Sequence, residues 1–253
     1  MNKVKDIKNA IERLAPCSLA EEWDNVGLML GDAEQYVSTV FICLDVTAEN
    51  VQKAIDCDAD LIISHHPLIF SPLKNILDTD VSGSIISTLI RNNISVYSAH
   101  TNLDKADGGM NDVLADKLGL SDVRHFKDGT IGRIGELETP VELADFKDFV
   151  KNVLDCRSIR YVGTPDETVK TVAVCSGAGG DGIYSAYNEG ADVYVTSDIK
   201  HHEAQLAYEL GINLIDAGHF ETENIICEFL KEYLEEIMPD ITVFSSDAEP
   251  FFR

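Results

Sequence analysis

A chain of 253 residues, 45% hydrophobic and 25% charged, has ordinary globular composition, which excludes wholesale disorder and a fibrous repeat. That length fits one large or two modest domains, with a core big enough to need no staples. Twenty basic residues against 44 acidic ones leave a net charge of −24; a nucleic-acid-coating role is disfavoured, since such affinity rests on Lys and Arg neutralising phosphates.

The N-terminal stretch places Val4, Ile7, Ile11 and Leu14 at helical spacing with charges between them, an amphipathic helix rather than a secretory signal. Val37–Leu44 reads as a buried strand, and a helix runs from Thr47, a plausible N-cap, to Ile55. Leu61–Ser64 is the next strand. A helix over Ser82–Arg91 follows, with Ile85, Ile86, Leu89 and Ile90 on one face. Ser95–Ala99 is a third strand, and a helix over Met110–Leu118 ends at Gly119, a good residue just past a helix end. Apolar strands alternating with helices mark a largely parallel sheet covered on both faces.

Between Val123 and Gly135 charge and glycine rise, and a domain junction is expected there. A second α/β cycle follows. Phe146, Phe149, Val150, Val153 and Leu154 form a helical stripe, and Val169–Cys175, Val193–Thr196 and Leu214–Ala217 read as strands. A long helix from about Glu221 carries Ile225, Phe229, Tyr233 and Ile237, and Ile241–Ser245 is a last short strand. The expected division is a first domain over 1–125, completed by 236–253, and a second over 126–235. Six cysteines occur without any CxxC pair, so reduced thiols are expected, not a zinc ribbon or a disulfide framework. No run approaches the ~18 apolar residues of a membrane span. The expected location is the cytoplasm.

Three predicted strands end in the same chemistry. LIIS runs into His65-His66-Pro67, SVYSA into His100-Thr101-Asn102-Leu103-Asp104, and LIDAG into His219-Phe220-Glu221-Thr222-Glu223. Sites in open parallel sheets form at the carboxyl ends of strands, so these loops can converge. Pro67 biases His66 toward extended geometry, in which neighbouring side chains point apart, so the two histidines are expected to reach different metals. His219 and Glu223, four apart, share one helix face. Asp104 adds an anionic oxygen able to bridge two cations. Each signal alone is more often bland: a turn, a solvated helix face, a cap for Asp104. Together the imidazoles and carboxylates suit Zn, Mn, Fe, Co or Ni.

At these residues the sequence resembles the Nif-three-like family, whose members are also labelled GTP cyclohydrolase I type 2 homologues or dinuclear metal centre hexamers. The segments EEWDNVGLMLGD (21–32), SHHPLIF (64–70), SAHTNLD (98–104), TSDIKHHEAQLA (196–207) and DAGHFETE (216–223) carry the resemblance in order over nearly the whole chain. It implies two interlinked α/β domains with the metal site in the cleft between them, and a toroidal homohexamer built as a trimer of dimers. It also implies two divalent metal ions per subunit on His65, His66, Asp104, His219 and Glu223. The chain resembles the short form, without the central inserted domain of some members.

Two further segments stand out. Gly177-Ala-Gly179-Gly180-Asp-Gly182 matches GxGxxG after a strand, with Asp198 twenty-one residues beyond its first glycine. The helix after it is short and the second half of a dinucleotide fold is missing, so a plain turn is expected over an anion cradle or an NAD site. In Asp198-Ile-Lys200-His201-His202-Glu203, Asp198 is expected to cap a polar helix. The resemblance sets this motif beside the metals and makes His202, with His100, a candidate for proton transfer. His125 reads as a surface residue.

The function expected is therefore a metal-dependent hydrolase acting on a small nucleotide or related anionic metabolite, in which two cations activate a water and clamp an oxygen-rich substrate. The alternatives are a ring-shaped metal-binding or interaction protein without turnover and, more remotely, an NAD-dependent oxidoreductase.

Overall fold

The computed structural model describes residues 1–252. In chain order the elements are β1 (Asn2–Lys3), α1 (Val4–Leu14), β2 (Gly27–Leu30), β3 (Tyr36–Val37), β4 (Thr39–Cys43), α2 (Ala48–Asp56), β5 (Leu61–Ser64), α3 (Val81–Arg91), β6 (Ser95–Ser98) and α4 (Thr101–Lys105). They continue as α5 (Met110–Lys117), β7 (Ser121–His125), β8 (Arg133–Glu142), α6 (Leu143–Val153), β9 (Arg160–Val162), β10 (Thr168–Ala178), α7 (Ile183–Asn188), β11 (Val193–Ser197), α8 (His201–Leu210), β12 (Asn213–Asp216), α9 (His219–Glu223), α10 (Ile225–Ile237) and β13 (Thr242–Ser245). The architecture is mixed α/β, as the alternation of strand and helix patterns predicts. No helix among the described residues is long and apolar enough to cross a membrane. No disulfide joins the cysteines among them.

Two compact units are present, Met1–Asp107 with Ile226–Glu249, and Gly108–Ile225. The first holds a five-stranded sheet in the order β13-β4-β5-β6-β2. β13, β4, β5 and β6 run parallel, and β2 closes the edge antiparallel to β6. Every residue of β5 and β6 is buried, which is why those segments carry no polar alternation. Phe41, Val51, Ala54, Ile62, Leu89 and Val96 pack into one core cluster. Thr47 caps α2 as its sequence predicts, its side chain accepting the Asn50 amide at 3.1 Å.

The second unit holds a six-stranded sheet ordered β7-β8-β10-β11-β12-β9. β10, β11 and β12 are parallel, whereas β8, β7 and β9 join antiparallel. The expected junction at 123–135 is instead occupied by the β7–β8 hairpin, where His125 pairs with Arg133. The units divide earlier than the sequence boundaries of 125 and 235, because α5 and β7 join the second unit and α10 the first. The helix expected from Glu221 is broken at Asn224. Its buried face is Ile226, Cys227, Leu230 and Leu234, one position on from the predicted stripe.

Arg133 is among the largest fully buried side chains of the protein. Asp112 grips its guanidinium in a fork, Nε to Oδ1 at 2.8 Å and Nη2 to Oδ2 at 2.9 Å. Asp112 is partly exposed while Arg133 is buried, and hydrogen bonds to a charged group contribute about 1.5–3 kcal/mol. Asp112→Ala is accordingly expected to cost about 2 kcal/mol of stability. Denaturant unfolding checks this, and a loss under about 0.5 kcal/mol would show a pair no stronger than a surface one.

Candidate metal centre

In the first unit the parallel sheet delivers two loops to neighbouring positions. Beyond β5 the ladder continues through the amides of His65 and His66, which donate to the carbonyls of Cys43 (3.2 Å) and Leu44 (3.0 Å). Ser64 Oγ lies 2.8 Å from Ser98 Oγ and donates to the His66 carbonyl at 2.8 Å, tying the two strand ends together. Beyond β6, Asn102 accepts the His100 amide at 2.9 Å and donates to the Ala15 carbonyl at 2.7 Å, fixing the turn into α4.

Each imidazole so placed is anchored through Nδ1. His65 Nδ1 donates to the Ala99 carbonyl at 2.8 Å, His66 Nδ1 pairs with Asp45 Oδ1 at 2.8 Å, and His100 Nδ1 with Asp24 Oδ1 at 2.9 Å. An acceptor at Nδ1 leaves Nε2 as the lone-pair nitrogen, the arrangement that readies histidine for a cation. The ligating atoms of His65, His66 and His100 all lie within 4.8 Å of one another. Asp104 Oδ1 stands 3.6 Å from His65 Nε2. Burial, then the neighbouring His65, hold His100 below the usual 6.5 against the pull of Asp24. The His65 and His66 rings are tilted 45° to each other with centroids 5.1 Å apart, His65 anchored on the Ala99 carbonyl and His66 on Asp45.

The second unit builds its own group. His219 and Glu223 are one turn apart on α9, with Nε2 and Oε2 separated by 2.9 Å, and Asp198 Oδ2 meets His219 Nδ1 at 2.8 Å. Hydrogen bonding to Glu223 first, with Asp198 adding to it, raises the His219 pKa to about 9. Two carboxylates around one ring thus favour positive charge at this point. Gly177 completes the cradle: at φ +59°, a Cβ there would fall 2.1 Å from Glu223 Oε1 and 3.4 Å from His219 Cε1. Its amide also donates to Thr222 Oγ1 at 3.0 Å, locking the end of β10 to α9.

Asp198 does not cap α8; Lys200 holds the cap position, and Asp198, in a left-handed conformation at φ +57°, orients His219 instead. His202 sits on the first turn of α8 with its side chain 75% exposed, its Nε2 3.9 Å from Glu203 Oε1. His125 is exposed on β7, as predicted. The GxGxxG loop leads into a helix of six residues. A Cβ at Gly179 would strike Thr196 and Tyr194, one at Gly180 the Glu203 carboxylate, and one at Gly182 the Tyr194 hydroxyl. The glycines make room for the protein's own side chains, in line with the plain turn expected.

Sequence reasoning does not single out Asp24 or Asp45, or give Asp198 its role. Asp45 follows the end of β4 as the histidines follow β5, so the strand-end rule extends to it. Asp45→Asn, which keeps the shape and removes the charge, is expected to lower metal affinity about 10–100-fold with little change in folding. Competition with a chelator measures it; unaltered affinity would detach Asp45 from the site.

Both groups suit a borderline transition metal, with imidazole nitrogens and carboxylate oxygens but no thiolate. A family model described as Duf34/NIF3 (NGG1p interacting factor 3) matches residues 2–250. A Clostridium acetobutylicum protein named GTP cyclohydrolase 1 type 2 homolog is 41% identical over 229 residues, covering 87% of this chain and 85% of that protein. A Clostridium perfringens protein of the same name is 35% identical over 258 residues, covering 98% of each chain. Among solved structures, a Bacillus cereus protein related to NIF3 superimposes with a TM-score of 0.94 at 28% identity, covering 100% of this chain and 99% of that one. With the family model spanning nearly every residue, the chain belongs to the Duf34/NIF3 (NGG1p interacting factor 3) family.

Proposed function

We propose that the chain is a metal-dependent hydrolase of a small nucleotide or related anionic metabolite. Two divalent ions (Zn, Mn, Fe, Co or Ni) are held per subunit by His65, His66, Asp104, His219 and Glu223. The observation that carries the reading is that His65 and His66, each anchored at Nδ1 to an oxygen acceptor, bring their ligating atoms within 4.8 Å of one another, with Asp104 Oδ1 3.6 Å from His65 Nε2. Such ions, when bound, polarise phosphoryl or carbonyl oxygens and make water acidic enough to attack at neutral pH.

The chain's own residues orient and move protons. Asp24, Asp45 and Asp198 hold His100, His66 and His219 in fixed tautomers. His100, whose pKa burial lowers, takes up a proton at Nε2, and the imidazolium so formed is held by its Nδ1–H hydrogen bond to the Asp24 carboxylate. His202, on an exposed turn, is the candidate to deliver a proton to a leaving group. The names of the curated relatives support a guanine nucleotide as the first substrate to try. The resemblance also supports a homohexamer built as a trimer of dimers, in which a −24 chain associates through apolar contacts.

The test is product release from a nucleotide panel by Mn- or Zn-loaded protein, with ring opening and phosphate release assayed separately. Release that disappears in Asp104→Ala is the expected result. Full metal occupancy without any product would favour the non-catalytic metal-binding reading instead.

A further inference from the structure

We propose that Trp23 and Phe70 form a stacking wedge for a planar heterocycle of the nucleobase type, beside the histidine cluster of the first unit. The proposal deepens the hydrolase reading and rests on it for the role of the neighbouring histidines. Three observations carry it. The first is exposure: Trp23 is 61% exposed and Phe70 51%, although each has apolar area that burial would stabilise.

The second is placement. The two rings lie 6.0 Å apart at 52°, a tilted contact that leaves their outer faces, not a gap between them, for a ligand to stack on. Both make T-shaped contacts with His100, Trp23 at 6.3 Å and Phe70 at 6.5 Å between ring centroids. His100 in turn contacts His65 at 5.1 Å and His66 at 5.6 Å. A continuous run of rings therefore leads from the exposed aromatics to the imidazoles.

The third is rigidity. Trp23 is followed by Asp24, whose fully buried side chain accepts the Thr101 amide at 3.1 Å and its hydroxyl at 2.5 Å as well as pairing with His100. Asn25 then donates to the Ile69 carbonyl at 2.5 Å, so the loop bearing Trp23 is tied to the residue before Phe70. Two exposed apolar rings, one fixed through the buried Asp24 and the two loops tied by the Asn25–Ile69 hydrogen bond, form a built surface, not two loose side chains. Such a surface takes a flat, π-faced ligand, since aromatic stacking tolerates any base and needs little hydrogen-bond reading. A phosphate chain alone would find no stacking partner there.

Trp23 is the sole tryptophan, so its emission reports directly on this wedge. Whole protein, metal-loaded and chelator-treated, is titrated with guanosine, GTP and inorganic triphosphate. Saturable quenching by guanosine and GTP in both preparations, and none by triphosphate, is expected. Phe70→Ala should weaken the apparent affinity for guanosine about tenfold while circular dichroism stays unchanged. Quenching by triphosphate alone, equal affinity in Phe70→Ala, or blue-shifted emission insensitive to every ligand, as when another copy covers the rings, would each overturn the proposal. Saturable quenching without product from any nucleotide would remove the hydrolase reading and leave the wedge standing. Product release with an unresponsive Trp23 would do the reverse.

Discussion

Asp104→Ala and Glu223→Ala are expected to strip metal from the protein while leaving it folded. Both carboxylates are buried, Asp104 at 8% exposure and Glu223 at 4%, and neither is part of an apolar core cluster. Each stands against a histidine, Asp104 at 3.6 Å from His65 Nε2 and Glu223 at 2.9 Å from His219 Nε2. Alanine leaves that imidazole in place but removes the anionic oxygen that neutralises a dication. The loss in affinity should exceed the about 10–100-fold cost of removing an outer partner such as Asp45. Elemental analysis after gel filtration, paired with a denaturant melt, separates the two effects. Unchanged occupancy in both variants would remove these carboxylates from the site.

Gly177→Ala is expected to damage the second ligand group without replacing a ligand. Two costs combine. A non-glycine residue at φ +59° is disfavoured by about 1–2 kcal/mol. In addition the new methyl, 2.1 Å from Glu223 Oε1, must push a buried carboxylate off His219 or shift the end of β10. A total stability loss of about 3 kcal/mol is predicted, with impaired metal binding. Gly190→Ala isolates the first cost: φ there is +81°, and a Cβ would meet nothing within 4 Å. It should lose only about 1 kcal/mol and bind metal normally. If Gly177→Ala cost no more than Gly190→Ala and kept its metal, Gly177 would be a turn residue and not a cradle.

Much of the fold was legible because central parallel strands are buried on both faces and therefore read as short apolar runs. Leu61–Ser64, Ser95–Ser98 and Val193–Ser197 are buried throughout. The edges were not legible. β7 has no buried residue, and β8 is exposed or half-exposed over its outer half, so a charged, glycine-bearing stretch reads as a linker although it is a hairpin. The stripe on α10 is displaced because Ile225 and Ile226 both begin an apolar row at helical spacing, and only packing selects the second. In α3 the same ambiguity leaves Ile90 56% exposed while Ile86 and Leu89 are buried.

For the site, strand-end position identified the histidines, and the structure brings His65, His66 and His100 together. The carboxylates that orient them left no comparable mark. Asp24 lies 76 residues before the His100 it orients, in the loop ahead of β2, and Asp198 acts from a left-handed backbone position that no spacing rule describes. A residue that fixes a ring through one hydrogen bond needs only proximity in space, and proximity across loops is not written as periodicity.

The central claim is that this chain holds two transition-metal ions per subunit. Elemental analysis of protein purified without chelator, then loaded to saturation and freed of unbound metal, measures the ratio directly. The ligand set predicts two ions per chain. A ratio of one or less at saturation would contradict the dinuclear reading.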